Sequence, residues 1–492
     1  MDSNSYILLL PILLPIAAAV LVALIPFQER RRMRAFLFLV FALEVCVCIG
    51  LFVSGEERSL DVMQIAEGLE LYLNTDLMSR TFLAFLSVTW LLDGIFAFEY
   101  MAEDEREKLY YCVYLIVCGI IAGLAMSGNL ITYYVFYEFM SLSATLLVLH
   151  NRRHESIMAA LKFLFYSIAG ALMVLFGVFV MLHTLGGDGL VFTPGGLLAG
   201  EEQTPVLLVA VFFMVLGFGT KAGMFPMHAW LPAAHPVAPA PASAVLSGII
   251  TKTGVLGIIR AVYFVAGADF IRGTWVQVVW IILALVTVFM GSMLAYKEKL
   301  LKKRLAYSTV SQVSYIMFGL SLLTPTAFVG AALHIIFHSL AKNALFLSAG
   351  AIIHKTGKTR VDELSGIGKQ MPVVMWCFTL ASLSLIGIPP LCAFVSKWYL
   401  AVGALESGLD PVTWLGPVIL LVSALLTAGY LLPVSIKGFF PQQEPAAVEW
   451  ESKEPTWRML LPLIVLSAFS ILFGIWPGAL VNLFSGIAAA VL

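Results

Sequence analysis

Apolar stretches long enough to cross a bilayer recur from one end of this chain to the other, and that recurrence limits its fold more than any other feature. A spanning helix needs about 20 mainly apolar residues. Lipid offers no partner for a free backbone amide, so only helices and closed barrels satisfy the backbone internally. About fourteen such segments lie along the 492 residues, at approximately 6–26, 33–54, 77–99, 109–127, 129–149, 161–184, 205–230, 240–265, 274–296, 306–322, 328–353, 373–402, 412–434 and 459–488. Few residues remain for a soluble domain. The expected fold is therefore an all-α polytopic membrane protein with about 14 transmembrane helices. Composition agrees, with 60% hydrophobic and only 12% charged residues, whereas about a quarter of a soluble chain is charged. A net charge of −1 gives no general attraction to nucleic acid, and the surrounding partner to expect is lipid.

The six cysteines, at 46, 48, 112, 118, 377 and 392, lie in or beside apolar runs and form no C-x-x-C pair, so they read as small core residues with no zinc or iron–sulfur role. The first apolar run, Tyr6 to Pro26, lacks a basic leader and a small-residue cleavage site, and is expected to be retained as a span. The loops alternate in charge. Those after odd-numbered spans carry Arg30, Arg31, Arg32 and Arg34, then Arg106 and Lys108, then Arg152 and Arg153. Further on come Lys297, Lys299, Lys302, Lys303 and Arg304, then Lys355, Lys358, Arg360 and Lys369, and finally Lys437 and Lys453. Loops after even-numbered spans, such as Gly186 to Thr204 with Asp188, Glu201 and Glu202, are almost free of basic residues. The positive-inside rule then places both termini on the non-cytoplasmic side.

Two spans are interrupted in a similar way. The seventh runs into G-F-G-T-K-A-G-M-F-P-M-H-A-W-L-P and the twelfth into G-I-P-P-L-C-A-F-V-S-K-W, each joining Gly and Pro breaks to a lysine, Lys221 and Lys397. Matching broken helices in two halves are the sequence pointer to a transporter's internal repeat and ion site; kinks serving packing alone are the plainer reading.

Ionisable groups at membrane depth are costly, at least about 2.5–3.5 kcal/mol each on insertion scales, and this chain retains a series. Glu138 sits mid-span in helix five with no basic neighbour in its own helix, and Lys221 is its natural countercharge. A buried pair of that kind works as a switch, since moving or protonating one partner changes the proton affinity of the other. Lys252 follows in S-G-I-I-T-K-T-G. In H-I-I-F-H-S-L-A-K, His334, His338 and Lys342 stand at i, i+4 and i+8, on one helix face and about 6 Å apart along the axis. With intervening water they could pass a proton along the membrane midplane, and Lys397 would end the row. His235, in the Pro-rich L-P-A-A-H-P-V-A-P-A-P, either gates access or caps a helix. His183 and His354 read as packing residues, Arg260 as a side chain snorkelling to an interface, and Glu44, Asp93 and Glu99 as helix-packing polar groups.

These stretches resemble the antiporter-like subunits of complex I, membrane-bound hydrogenases and Mrp antiporters. The likeness is carried in order by Y-E-F-M-S-L-S-A at Glu138, by K-A-G-M-F-P-M-H-A-W-L-P-A-A-H-P-V-A-P-A-P-A-S-A-V-L-S-G-I-I-T-K-T-G from Lys221 to Lys252, and by L-L-K-K-R-L-A-Y-S-T-V-S-Q from Leu300. H-I-I-F-H-S-L-A-K-N-A-L-F-L-S-A-G and G-I-P-P-L-C-A-F-V-S-K-W complete it. The segments before and through Lys252 look most like hydrogenase-4 component B and the formate hydrogenlyase membrane subunit, with the D component of Mrp antiporters next. The resemblance implies an inverted repeat of two five-helix units with broken helices 7 and 12. Helices 1–3 would fill residues 1–108, the first repeat 109–265, the second 266–434, and a cytoplasmic loop with helix 14 residues 435–492. It also implies a Glu138–Lys221 pair, a hydrated axis through Lys252, His334, His338 and Lys342, and an exit half at Lys397. The chain lacks the long lateral helix of complex I's distal subunit, which points away from that member.

No dinucleotide fingerprint, P-loop or thiolate cluster is present, so no cofactor is expected in this chain and no catalytic chemistry of its own. The expected function is proton translocation in the cell membrane as a subunit of a redox-driven complex, with Na⁺/H⁺ exchange in a multisubunit Mrp antiporter as the alternative. The implied partners are other antiporter-like and small membrane subunits, and a peripheral arm carrying iron–sulfur and, in the hydrogenase case, nickel–iron subunits.

Overall fold

A computed structural model describes residues 5–66, 69–186, 190–441 and 451–492; Asp188 and positions 442–450 of the loop before the last helices lie outside it. The chain opens with α1 (Ser5–Leu24), α2 (Arg30–Ser54), α3 (Leu77–Tyr100), α4 (Glu107–Ala125), α5 (Leu130–Leu149) and α6 (His154–Leu185). The first interrupted span is α7 (Pro205–Ala222) and α8 (Leu231–Val237). Then come α9 (Ala240–Ala266), α10 (Trp275–Lys297), α11 (Leu301–Ser321) and α12 (Pro325–Thr356). The second interrupted span is α13 (Pro372–Ile386) and α14 (Cys392–Leu405), followed by α15 (Val412–Phe439), α16 (Trp457–Ile475) and α17 (Gly478–Val491).

Among the described residues twelve helices are long and apolar enough to cross a membrane, and α13, α14 and α17 are shorter apolar helices. Helix α11 has the length but carries Lys302, Lys303, Arg304 and a run of hydroxyl residues. The expected helical membrane fold is found, with two departures in detail. The last expected span, 459–488, is divided at Trp476 and Pro477 into α16 and α17, because Pro477 cannot continue a helix from the preceding turn. The chain is also not purely helical: Ser59–Ala66 (β1) and Leu69–Asn74 (β2) form an antiparallel hairpin between α2 and α3, Ser59 facing Asn74.

Local sequence accounts for the ends of the spans. Asp76, Asn129, Thr204 and Thr324 accept from the backbone N–H three residues ahead and start α3, α5, α7 and α12, supplying partners that a helix start lacks. Gly223 (φ +83°) and Gly387 (φ +94°) end α7 and α13 in the left-handed conformation that favours glycine. Pro226 and the Pro389–Pro390 pair then keep the chain from resuming a helix at once, and both spans are broken.

The two helices that matter most, α9 and α12, have every residue of their apolar windows buried inside the protein. An all-round apolar helix of that kind is the centre of a bundle. Lipid-facing surface lies elsewhere, for instance at Phe165, Leu172 and Phe179 on α6 and Leu421 and Leu425 on α15. Helix α9 is also irregular. Its Leu246–Ile250 and Arg260–Ala266 turns are π-helical, a widening often found at functional sites, and they flank Lys252.

Candidate functional site

Lys252 is the junction of the site. Its Nζ lies 2.6 Å from His338 Nδ1 on α12, donates to the Ser247 carbonyl at 2.5 Å and reaches the Thr251 hydroxyl at 3.4 Å. An ammonium has three donors and no acceptor, and these three contacts use all of them. With Lys252 charged, His338 accepts at Nδ1 and its proton belongs on Nε2, an atom with no protein partner. The His338 and His334 ring centres are 5.9 Å apart. His334 Nδ1 is 2.8 Å from Ser396 Oγ, its Nε2 is 3.3 Å from Gln312 Oε1, and its ring stacks on Tyr315 at 5.7 Å. Lys397 neighbours Ser396 in sequence, and its Nζ lies 4.7 Å over the same Tyr315 ring. Lys342, fully buried, donates to the Leu305 carbonyl at 3.0 Å. The predicted row is therefore brought together from Lys252 through both histidines to Lys397. Lys342 lies one helical turn beyond His338.

The two interrupted spans hold their lysines differently. Lys397 stands after its break but reaches back across it, donating to the Leu385 and Ile386 carbonyls at 2.5 and 3.3 Å. Those carbonyls close α13, where the helix dipole places partial negative charge that suits a cation. Lys221 stands before its break, and Nζ donates to Ser167 Oγ at 2.8 Å with the Phe163 ring face at 4.5 Å. The expected direct pair with Glu138 is not formed. Glu138 is half-buried on a flank of α5 that also exposes Phe139 and Leu142, and its Oε1 accepts from Tyr134 Oη at 3.2 Å. Lys221 turns inward to α6 instead, and the two charges interact through space.

At the end of the bundle where the basic loops gather, a cavity of about 510 Å³ is lined by Tyr100, Glu103, Asp104, Lys302 and His354 among others. Lys302, read from the sequence as one of a loop cluster, is buried: it donates to the Ala238 carbonyl and approaches that of Pro236 at 3.5 Å. His235, fully buried, stacks on Phe346 at 4.6 Å. Both its ring nitrogens lack a protein partner, and it interacts through space with Lys302, Lys342 and Lys252. It therefore sits between the cavity and the buried row, and its side chain caps no helix.

The far end of α9 carries a pair that the sequence reading missed. Arg260 does not snorkel. It is buried and grips Asp76, NH1 to Oδ2 at 2.5 Å and NH2 to Oδ1 at 2.9 Å, with a further bond to Ser79 Oγ and the Phe264 ring 4.5 Å away. Gln312, Tyr315 and Ser396 were missed as well. Their sole signal was the density of hydroxyl and amide residues on α11, in the S-T-V-S-Q run, and beside Lys397. Among the described residues no group of three or more His, Cys, Asp or Glu could hold a metal ion.

Fold and site together define a class: a multi-pass membrane protein whose apolar bundle centre encloses a row of buried lysines and histidines. Residues 127–427 match the model of the NADH:quinone oxidoreductase/Mrp antiporter transmembrane family. NADH-quinone oxidoreductase subunit N of Desulforudis audaxviator is 35% identical over 391 residues, 77% of this chain and 76% of that one. The D component of the Na⁺/H⁺ antiporter of Alkalihalophilus pseudofirmus is 29% identical over 403 residues, 81% and 79% of the two chains. The chain belongs to the NADH:quinone oxidoreductase/Mrp antiporter family. A subunit in the structure of the Mrp complex from Dietzia shares the fold, with a TM-score of 0.87 at 23% identity over 100% of this chain and 98% of that one.

Proposed function

We propose that this chain is a proton-translocating membrane subunit of a redox-driven complex, and that protons move along Glu138, Lys221, Lys252, His338, His334 and Lys397, with Lys342 joining the row beside His338. The observation that carries the reading is the 2.6 Å contact between Lys252 and His338, a lysine and a histidine from two helices joined inside the fully buried centre. Proton transfer needs donor and acceptor within hydrogen-bond reach or one water apart, and nothing in simple helix packing requires two titratable groups there. His235, between the cavity and the row, is the gate in this reading. The two interrupted spans mark the two repeat units.

The alternative is Na⁺/H⁺ exchange as a D-like component of a multisubunit antiporter without a redox arm; the likeness to the antiporter D component over 81% of the chain favours it. Either way the partners are other antiporter-like and small membrane subunits; the redox reading adds iron–sulfur and, in the hydrogenase case, nickel–iron subunits. The alternation of basic loops supports residence in the plasma membrane with both termini outside the cytoplasm.

Lys221→Ala and Glu138→Ala, each in the assembled complex in liposomes, are expected to abolish coupled proton movement while assembly persists. Normal pumping by either variant overturns the reading. The two alternatives separate on copurification in mild detergent: redox-centre subunits accompany the chain in the first and are missing in the second.

A further inference from the structure

The ionisable groups of the row leave one buried acid unused. Asp93 lies on α3, seven residues before its end at Tyr100, so about 10 Å of helix separates it from the basic end of the bundle. It is fully buried, and neither carboxyl oxygen has a protein partner. A helix-packing acid would bond a hydroxyl or an amide across the interface, and Asp93 does neither. Trp90 Nε1, one turn earlier on α3, and Tyr110 Oη on α4 are buried and equally without protein partners. The Tyr114 hydroxyl beside them donates to the Trp90 carbonyl at 2.8 Å.

Among the described residues the surroundings contain no countercharge. Helix α4 presents Tyr110 and Tyr114, both of which interact through space with Asp93. Helix α2 carries Glu44 and Cys48, bonded to each other at 3.5 Å, with Cys118 of α4 in their neighbourhood. The Ala240–Val245 stretch of α9 contains nothing that titrates. At the mouth, His354 of α12 packs on Tyr100, Lys355 pairs with Glu99, and Arg458 lies in the first turn of α16. No cation among the described residues interacts with Asp93. An isolated carboxylate in such a place costs far more than the neutral acid, and buried polar groups that lack protein partners are met by water.

A route to the surface is built beside it. The His150 ring meets the Tyr110 ring edge to face at 5.6 Å, and His150 Nε2 is 3.1 Å from Asp104 Oδ2. Asp104 lines the large cavity at the basic end, and a smaller cavity of about 110 Å³ has Tyr110, His150 and Arg152 on one side of a wall otherwise made of leucines and Val113. Its volume exceeds what one water molecule needs, and Tyr110, His150 and Arg152 are where water finds polar partners.

We propose that Asp93, Trp90 and Tyr110 form a second, hydrated proton-holding site, separate from the lysine and histidine row, which exchanges with the basic end through His150 and Asp104. Its ligand is a water cluster, and its proton rests on the Asp93 carboxyl.

Infrared spectroscopy of the full chain in its complex tests this. The expected spectrum has a carboxylic-acid C=O band that Asp93→Asn removes and that shifts to lower frequency when the wild type is transferred to D₂O. Loss of no band in Asp93→Asn overturns the proposal, as does a band that never shifts in D₂O, since the acid would then be dry. Where Asp93→Asn fails to accumulate, Asp93→Glu keeps the acid and is expected to move the band; an unmoved band is the overturning result. Tyr110→Phe should keep the band and slow its D₂O shift several-fold, and an unchanged exchange rate removes the route.

Discussion

At the scale of single residues, the site depends on each buried lysine finding acceptors at the place where it stops. Lys252 has a carbonyl, a hydroxyl and an imidazole, Lys397 the end of a helix, Lys342 and Lys302 backbone carbonyls, and Lys221 one hydroxyl and an aromatic face. Lys221 and Lys342 each make a single hydrogen bond, and Lys221 is the one whose carboxylate stands apart. His338→Gln keeps an acceptor for Lys252 but removes the titrating ring. We expect it to lower proton flux in liposomes by about tenfold or more, a barrier increase of ~1.4 kcal/mol, with the complex still assembled; wild-type flux would take His338 out of the path. The i, i+4, i+8 spacing of His334, His338 and Lys342 could be read directly, because it belongs to one helix. The partner of each could not. Lys252 and His338 are 86 positions apart, and only the packing of α9 on α12 joins them.

At the scale of elements, the seam between α9 and α12 is close-fitting. A Cβ at Gly248 would meet the Asn343 amide at 2.3 Å, and overpacking of this sort costs about 1–3 kcal/mol. Gly248→Ala is therefore expected to lower the thermal midpoint of the purified chain and to reduce flux together with it. An unchanged midpoint would mean that the seam gives way more easily than its geometry indicates. The other end of α9 is tied to α3 by Arg260 and Asp76. Burial alone would push the Asp76 carboxyl up, but the Arg260 guanidinium and the Ser79 hydroxyl and backbone N–H outweigh it and hold the group below the usual carboxylate range. A depressed folded-state pKa contributes stability that is complete above the unfolded value and is lost as the pH falls through the folded one. Asp76→Asn should thus cost about 3 kcal/mol at neutral pH and flatten the acid limb of the midpoint-versus-pH curve. The two interrupted spans were legible as Gly–Pro punctuation. The hairpin at Ser59–Asn74 was not, although L-E-L-Y-L alternates in its second strand, since a membrane reading directs attention to long apolar runs.

At the scale of the whole molecule, the bundle is stabilised by fit more than by escape from water, because lipid is as apolar as the core. Helix α17 shows the consequence. It buries Phe484, Ile487, Ala488 and Val491 and helps to close an apolar cleft against α3, α12 and α16. Removing residues 477–492 should lower the thermal midpoint in lipid only modestly and leave the remaining chain inserted, since acyl chains can fill the cleft; loss of insertion would show that α17 is needed to build the bundle. Residence in a membrane, the alternation of loop charge and the identity of the buried ionisable residues all follow from composition and periodicity, which are local properties of the chain. Three matters do not: that Lys252 meets His338, that Lys221 turns from Glu138 to Ser167, and that Lys302 turns inward. Each depends on how one helix is rotated and seated against another, and that arrangement is set by side chains far away along the chain.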